Sequence, residues 1–339
     1  MPKNIVIFSD GTGQEGGKGA NTNIYKLFNM IEDRTSQQIS FYDRGLGTGW
    51  RKLTGNVAGM GISKNIMECY TFIFENYVAG DQIYLFGFSR GAATVRSLTS
   101  FIHYFGIMPK SRPELIEKAY KIYKTGDETK RKIKAAEFVS THHTMWTRIK
   151  FLGCYDTVAA LGIPIKPLSA ALNEIPGFQH TFQNFKLNET VENAYQALAI
   201  DDERKTFHPI LWDADVLPYQ TIKQVWFCGM HTDVGGGYEE QELSDIPFVW
   251  MKKQAVNNGL RIYSSNSVSI RGDVNGHMHN SRGKGWTKVY RKQPRSWDSN
   301  RTDKPIVHES VLRRNKNVSN KDNPPYKPWI LNLDYKLED

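Results

Sequence analysis

The stretch Gln82-Ile83-Tyr84-Leu85-Phe86-Gly87-Phe88-Ser89-Arg90-Gly91-Ala92-Ala93 decides the fold. Its first seven residues form a short, mostly apolar run that predicts a buried strand over 82–88. Residues 91–105 carry small and apolar side chains at helical spacing and predict a helix directly behind it. Ser89 stands between the two, with glycines at 87 and 91. Only small neighbours let the two backbones come close enough for a turn that projects the hydroxyl. The helix start adds a positive dipole end and an amide, that of Arg90, directed to where an oxyanion would develop. The bland alternative is a glycine-rich strand-to-helix turn with Ser89 as a cap.

Outward from this turn, strand and helix signals alternate. Residues 4–9 form an apolar, β-branched run closed by Asp10-Gly11-Thr12-Gly13, which predicts a first strand ending in a loop. Ile24, Leu27, Phe28 and Ile31 recur at helical spacing after the capping-competent Thr22, and 38–42 returns to strand. A glycine-rich stretch over 45–61 leads into a helix over 62–77. Beyond the elbow, 109–147 is charged helical sequence, an insertion expected to fold over the sheet edge as a cap. Strands follow over 149–155 and 224–229, then a helix over 244–257. From 259 to 339 the pattern weakens into a less regular, basic region packed on the same domain. The alternation predicts an α/β fold over 1–339 as one domain, with a mostly parallel sheet and helices on both faces.

The 339 residues are 40% hydrophobic, 12% aromatic and 23% charged, with a mean hydropathy of −0.51. This excludes a disordered chain, and no apolar run approaches the roughly 18 residues that cross a bilayer. No standard export leader precedes residue 4, and Cys69, Cys154 and Cys228 are odd in number and widely spaced. Both features predict synthesis in a reducing cytoplasm with free, buried thiols. Lys and Arg number 44 against 35 Asp and Glu, a net charge of +9. The excess collects over 282–327, interleaved with Trp286, Tyr290, Trp297 and Tyr326 and followed by Trp329. Such a region suits a solvated basic face, an anionic membrane surface or base stacking on nucleic acid.

A serine is a weak nucleophile until a histidine takes its proton, and that histidine needs a carboxylate to fix its tautomer. Asp156 follows the strand at 149–155, and His231 and Asp233 follow the strand at 224–229, so all three are expected at the same sheet edge as Ser89. The order Ser, Asp, His is that of α/β-hydrolases. His279 and His308 are rival bases. The common hydrolase layout, with the acid two strands beyond the nucleophile, selects Asp233 and His279 instead of Asp156 and His231. The oxyanion hole is expected from the amides of Gly11, Thr12 and Arg90, and Asp10 is a further active-site candidate. Asp10 followed by Gly-Thr resembles the start of haloacid-dehalogenase-type phosphatases, but that family has a second aspartate two residues on, where this sequence has Thr12. A dinucleotide site at Gly11, Gly13 and Gly16 lacks a strong helix start, with Asp43 as its nearest ribose ligand. No Cys or His spacing suits zinc.

Four ordered motifs carry a resemblance: Phe8-Ser9-Asp10-Gly11-Thr12, Gly87-Phe88-Ser89-Arg90-Gly91-Ala92-Ala93, Tyr155-Asp156-Thr157-Val158, and 226–238, which reads Trp-Phe-Cys-Gly-Met-His-Thr-Asp-Val-Gly-Gly-Gly-Tyr. From residue 4 to about 250 the chain resembles the type VI secretion phospholipase effectors of the first lipase class and their uncharacterised α/β-hydrolase relatives. The likeness is looser through His279-Asn280-Ser281 and Val307-His308-Glu309-Ser310-Val311. It implies a serine esterase acting on glycerophospholipids without a cofactor or metal, with Ser89 as nucleophile, Asp156 as acid and His231 as base. It also implies a lipid or small-ester substrate, a secretion or immunity partner, and export to a target cell without a standard leader. The rival from another class is a basic protein that binds nucleic acid or an anionic surface on a hydrolase scaffold. On the esterase reading nucleic acid is not the expected partner.

Overall fold

The structure is a computed structural model describing residues 2–11, 17, 19–45, 55–158, 187–283, 285–316 and 325–339, with backbone alone at 55–60 and 285–286. Its elements, in chain order, are β1 (Asn4–Ser9), α1 (Asn23–Phe28), β2 (Gln38–Asp43), α2 (Gly55–Asn76), β3 (Gln82–Phe88), α3 (Arg90–Phe105), α4 (Glu114–Tyr123), α5 (Glu128–His142), β4 (Ile149–Tyr155) and β5 (Asn193–Ala199). β6 (Thr221–Phe227), α6 (His231–Gly235), α7 (Glu242–Asn257), β7 (Ile306–His308), α8 (Glu309–Lys316) and β8 (Lys336–Glu338) follow. The strands form one parallel sheet in the order β2-β1-β3-β4-β5-β6-β7-β8. This is the order of an α/β-hydrolase core around its nucleophile strand.

Alternation along the central strands sends side chains to opposite faces. Ile5, Ile7, Ile83, Leu85, Leu152 and Cys154 join one core with α2 to α5, and Val6, Phe8, Tyr84, Phe86, Phe151 and Tyr155 join the other with α1 and α7. Strands buried on both sides read as continuous apolar runs, which is why β1 and β3 stand out in the sequence. From β1 the chain steps outward to β2 and returns past β1 to β3. The crevice beyond the carboxyl ends of β1 and β3 is therefore the topological switch point, where open parallel sheets bind ligands.

The structure departs from the sequence reading or adds to it at three points. The insertion is a pair of helices, α4 and α5, whose Leu115, Ile116, Ala119, Tyr120, Tyr123, Ala135 and Phe138 share the core of α2 and α3. It thickens one face of the sheet and is not a cap over its edge. β5 is a strand that the sequence pattern did not reveal, lying between β4 and β6. The basic C-terminal region is part of the fold, since β7 and β8 extend the sheet and Val307, Val311 and Ile330 bury a third cluster with Trp226. Among the described side chains its Tyr290, Tyr326 and Trp329 form no exposed platform. Tyr290 is 1% exposed, Trp329 meets Trp226 at 5.6 Å, and Tyr326 donates to Asp201 Oδ2 at 2.8 Å. The side chain of Trp286 lies outside the described set. All three cysteines are free and buried.

Candidate active site

Ser89 sits at the turn from β3 to α3 with φ 57° and ψ −118°, a left-handed conformation that a non-glycine residue rarely adopts. The flanking glycines make the turn sterically feasible. A Cβ at Gly87 would lie 2.5 Å from Gly91 O, and one at Gly91 would lie 1.9 Å from Ser9 O. The first turn of α3 thus rests directly on the end of β1, and its Arg90 amide belongs to the helix-start amides that have no intrahelical acceptor. Gly11 is close by, since a Cβ there would lie 3.8 Å from Ser89 Cβ.

Asp156 follows β4, fully buried and at φ 44°. His231 opens α6 after β6. Its Nδ1 lies 2.5 Å from Asp156 Oδ2, and its ring is packed between Phe88 at 4.7 Å and Phe207 at 5.2 Å. Asp156 Oδ1 also accepts the Ala199 amide at 3.0 Å. Among the described residues Ser89 Oγ makes no hydrogen bond; catalytic hydrogen bonds are often long in the resting state and tighten on substrate. Burial opposes ionisation of Asp156, but the guanidinium of Arg295 and the His231 hydrogen bond together hold its carboxyl well below the usual range. Burial lowers the His231 imidazole, against the opposing pull of Asp156. A neutral imidazole with Nδ1–H fixed by a carboxylate leaves Nε2 as the proton acceptor.

Arg295 is the participant that sequence reasoning missed. It is buried and donates from Nη1 to Asp156 Oδ1 at 2.6 Å and from Nη2 to Oδ2 at 2.7 Å. Its position 139 residues away leaves no local sequence signal. It lies with Arg301 in the basic stretch 282–327, which the sequence reads as a solvated face or a surface for anionic partners. Arg301 instead bonds Asp303 and the Trp212 carbonyl.

The alternative acid and base do meet, but with each other. His279 Nδ1 lies 2.6 Å from Asp233 Oδ1, while Asp233 Oδ2 accepts the amides of Met230 and His279 at 3.0 Å each. Tyr238 stacks on the His279 ring at 3.8 Å. This pair fastens the loop at 276–281 onto α6. With β5 in place, the position two strands beyond the nucleophile is not Asp233 but Asp201 and Asp202. Asp202 pairs with Arg204 at 2.6 Å and accepts the backbone amide of His231 at 3.3 Å. The rival His308 bonds Ser310 Oγ at 2.9 Å and stacks on Phe227, and burial drops its imidazole to about 4.

Of the expected oxyanion donors, the Gly11 amide is already engaged, donating to Asp10 Oδ1 at 2.7 Å, and Thr12 lies outside the described residues. Asp10 is buried, also accepts from Thr22 Oγ1 and Tyr42 Oη at 2.6 Å each, and is raised by burial to about 6 against those bonds. It anchors the loop after β1 to α1 and β2. Asp43 accepts from Ser9, Asn65 and the Gly45 amide, so its oxygens are committed to the fold and not to a ribose. Among the described residues no group of side chains could hold a metal ion.

Residues 3–254 match the family model of the T6SS phospholipase effector Tle1-like catalytic domain. The chain belongs to this family. The Tle1-like segment thus covers β1 through most of α7 and includes Ser89, Asp156 and His231, but not Arg295. The chain is 28% identical over 257 residues to an uncharacterised protein of Saccharomyces cerevisiae, a match covering 68% of this chain and 36% of that protein's length. Among solved structures it is similar to an uncharacterised protein from Pseudomonas aeruginosa, at 15% identity and a TM-score of 0.49, covering 77% of this chain and 46% of that one. It is also similar to a Tle1 effector bound to the VgrG spike of the type 6 secretion system, at 21% identity and a TM-score of 0.40, covering 71% and 52%. The Tle1-like chain therefore spans about a third of its curated relative.

Proposed function

We propose that this Tle1-like domain is a serine hydrolase that cleaves carboxylic esters of glycerophospholipids through an acyl-enzyme. Ser89 Oγ attacks the ester carbonyl as His231 Nε2 takes its proton; the alcohol then leaves with that proton, and water repeats the sequence on the acyl-serine. The Arg90 amide and the start of α3 stabilise the oxyanion. The observation that carries this reading is the His231–Asp156 hydrogen bond beside a serine in the strained elbow conformation. Family membership supports a lipid-ester substrate, and the glycerophospholipid, delivery to a target cell and a secretion or immunity partner are proposed along with it. The rival nucleic-acid reading is weakened, because among the described aromatic side chains Tyr290 is buried and Trp297, Tyr326 and Trp329 pack within the fold.

The test is fatty-acid release from vesicles of phosphatidylethanolamine and phosphatidylglycerol by the parent and by Ser89→Ala. Release by the parent alone supports the reading. Hydrolysis of soluble esters without release from either vesicle would replace the phospholipid substrate by a simpler ester, and no hydrolysis of any ester would remove the enzyme reading.

A further inference from the structure

The chain leaving Tyr290 runs as a strap along the segment after β5. The Lys205 amide donates to Arg291 O, the Gln293 amide donates to Glu203 O, and Arg204 and Lys292 form an antiparallel bridge. The strap lies outside residues 3–254, which match the family. At one end Tyr290 packs its ring on Phe207 at 5.6 Å, and Phe207 packs in turn on His231. At the other end Arg295 reaches Asp156 with both Nη atoms and also donates to the carbonyls of Ala199 at 2.5 Å and Phe207 at 2.6 Å. Four acceptors fix the plane of the guanidinium, and the guanidinium fixes the plane of the carboxylate.

We propose that Arg295 is a positioning residue for the hydrolysis: the strap brings in a guanidinium that holds the Asp156 carboxylate where it reaches His231, so the reacting centre is incomplete without a segment outside the family-matched part. The inference rests on the serine-hydrolase reading. A buried carboxylate bonded only to one imidazole and one backbone amide is free to shift or take up a proton, and a bidentate fork opposes both. A lysine would supply the charge without the fork. The positive charge also disfavours a second one on His231, which keeps the imidazole neutral to lower pH. The other charged groups facing this cluster are Asp201 and the Asp202–Arg204 pair.

The experiment compares the full-length parent with Arg295→Gln and Arg295→Lys. It measures kcat and KM on a soluble nitrophenyl ester across pH, the titration of the His231 imidazole by NMR, and Tm. Arg295→Gln is expected to lower kcat about 100-fold with KM within about twofold, a loss confined to the transition state. The same variant should raise the His231 midpoint and the acidic limb by about one pH unit, because a nearby cation is gone. Arg295→Lys should keep the midpoint near the parent's and recover part of kcat. Parental kcat and midpoint in folded Arg295→Gln would overturn the proposal, as would a loss that follows Tm with no shift in midpoint. If Arg295→Gln does not fold, full kcat in Arg295→Lys overturns it. A parent that hydrolyses no ester would instead overturn the serine-hydrolase reading, and the NMR midpoint would still report on Arg295 without turnover.

Discussion

Asp156 and His231 join across a strand that separates their own: Asp156 ends β4, His231 follows β6, and the 2.5 Å bond between them passes over the end of β5. The acid proposed here, Asp156, arrives one strand earlier than in the common hydrolase layout, and Asp202, from the usual place, holds the His231 backbone instead. A triad requires only that the carboxylate reach the imidazole, and here the left-handed backbone at Asp156 turns the chain to allow it.

Two histidine–aspartate pairs make a discriminating prediction. Asp156→Asn and His231→Ala should each lower kcat by several orders of magnitude, on the order of 10⁴ or more, and should combine non-additively with Ser89→Ala. Asp233→Asn and His279→Ala should lower it by less than about tenfold and act mainly on Tm, since Asp233 holds two backbone amides. Steady-state kinetics with thermal melts separate the two pairs. Asp156→Asn should also lose stability, by about 3–5 kcal/mol, because Arg295 is left buried without its anion.

The pH dependence follows from His231. Burial lowers its imidazole below the ordinary 6.5. The neutral form is the base, so kcat/KM should rise with pH through a midpoint below 6.5 and be level above it. The stability linkage has the same sign: between the lowered midpoint and 6.5 the unfolded chain binds more protons, so the His231 contribution is lost as pH falls through that window. A pH–rate profile with a midpoint above 6.5 would contradict the neutral, desolvated imidazole.

The elbow makes a prediction about folding. Gly91→Ala places a methyl group against Ser9 O at 1.9 Å, where backbone meets backbone and neither side can yield by rotating a side chain. Destabilisation of about 3 kcal/mol is expected, measured by denaturant unfolding against the parent.

The net charge of +9 makes a weaker demand on membranes than its clustering suggests, because Arg295, Arg301 and Arg314 are spent on internal bonds. Lys288, Lys316 and Lys327 are exposed. Their joint replacement by Gln should weaken adsorption to anionic vesicles by about 1 kcal/mol for each lysine that lies near the bilayer, most visibly at low salt. Turnover of soluble esters should not change. Co-sedimentation with anionic and neutral vesicles reads the effect.

The elbow, β1 and the motif at 226–238 were legible because their constraints are local: apolar runs buried on both faces, and glycines where backbones touch. β5 was not, since Asn-Ala-Tyr-Gln-Ala-Leu-Ala contains no β-branched residue and draws its strand character from its neighbours in the sheet. Arg295 was not, because a cation in a basic stretch reads as solvated until its partner, 139 residues away, is seen. The Gly11 amide had the right place for an oxyanion donor, but Asp10 folds back onto it, a contact that sequence spacing does not specify.

The central claim, that Ser89 is the nucleophile of an ester hydrolase served by His231 and Asp156, is tested most directly by trapping its covalent intermediate. A rapidly quenched reaction of the full chain with a nitrophenyl ester, digested and read by mass spectrometry, should show the acyl mass on the peptide containing Ser89. The adduct should be absent in Ser89→Ala and strongly reduced in His231→Ala. Ester turnover with no acyl group on that peptide, or with the adduct on another residue, would contradict the account.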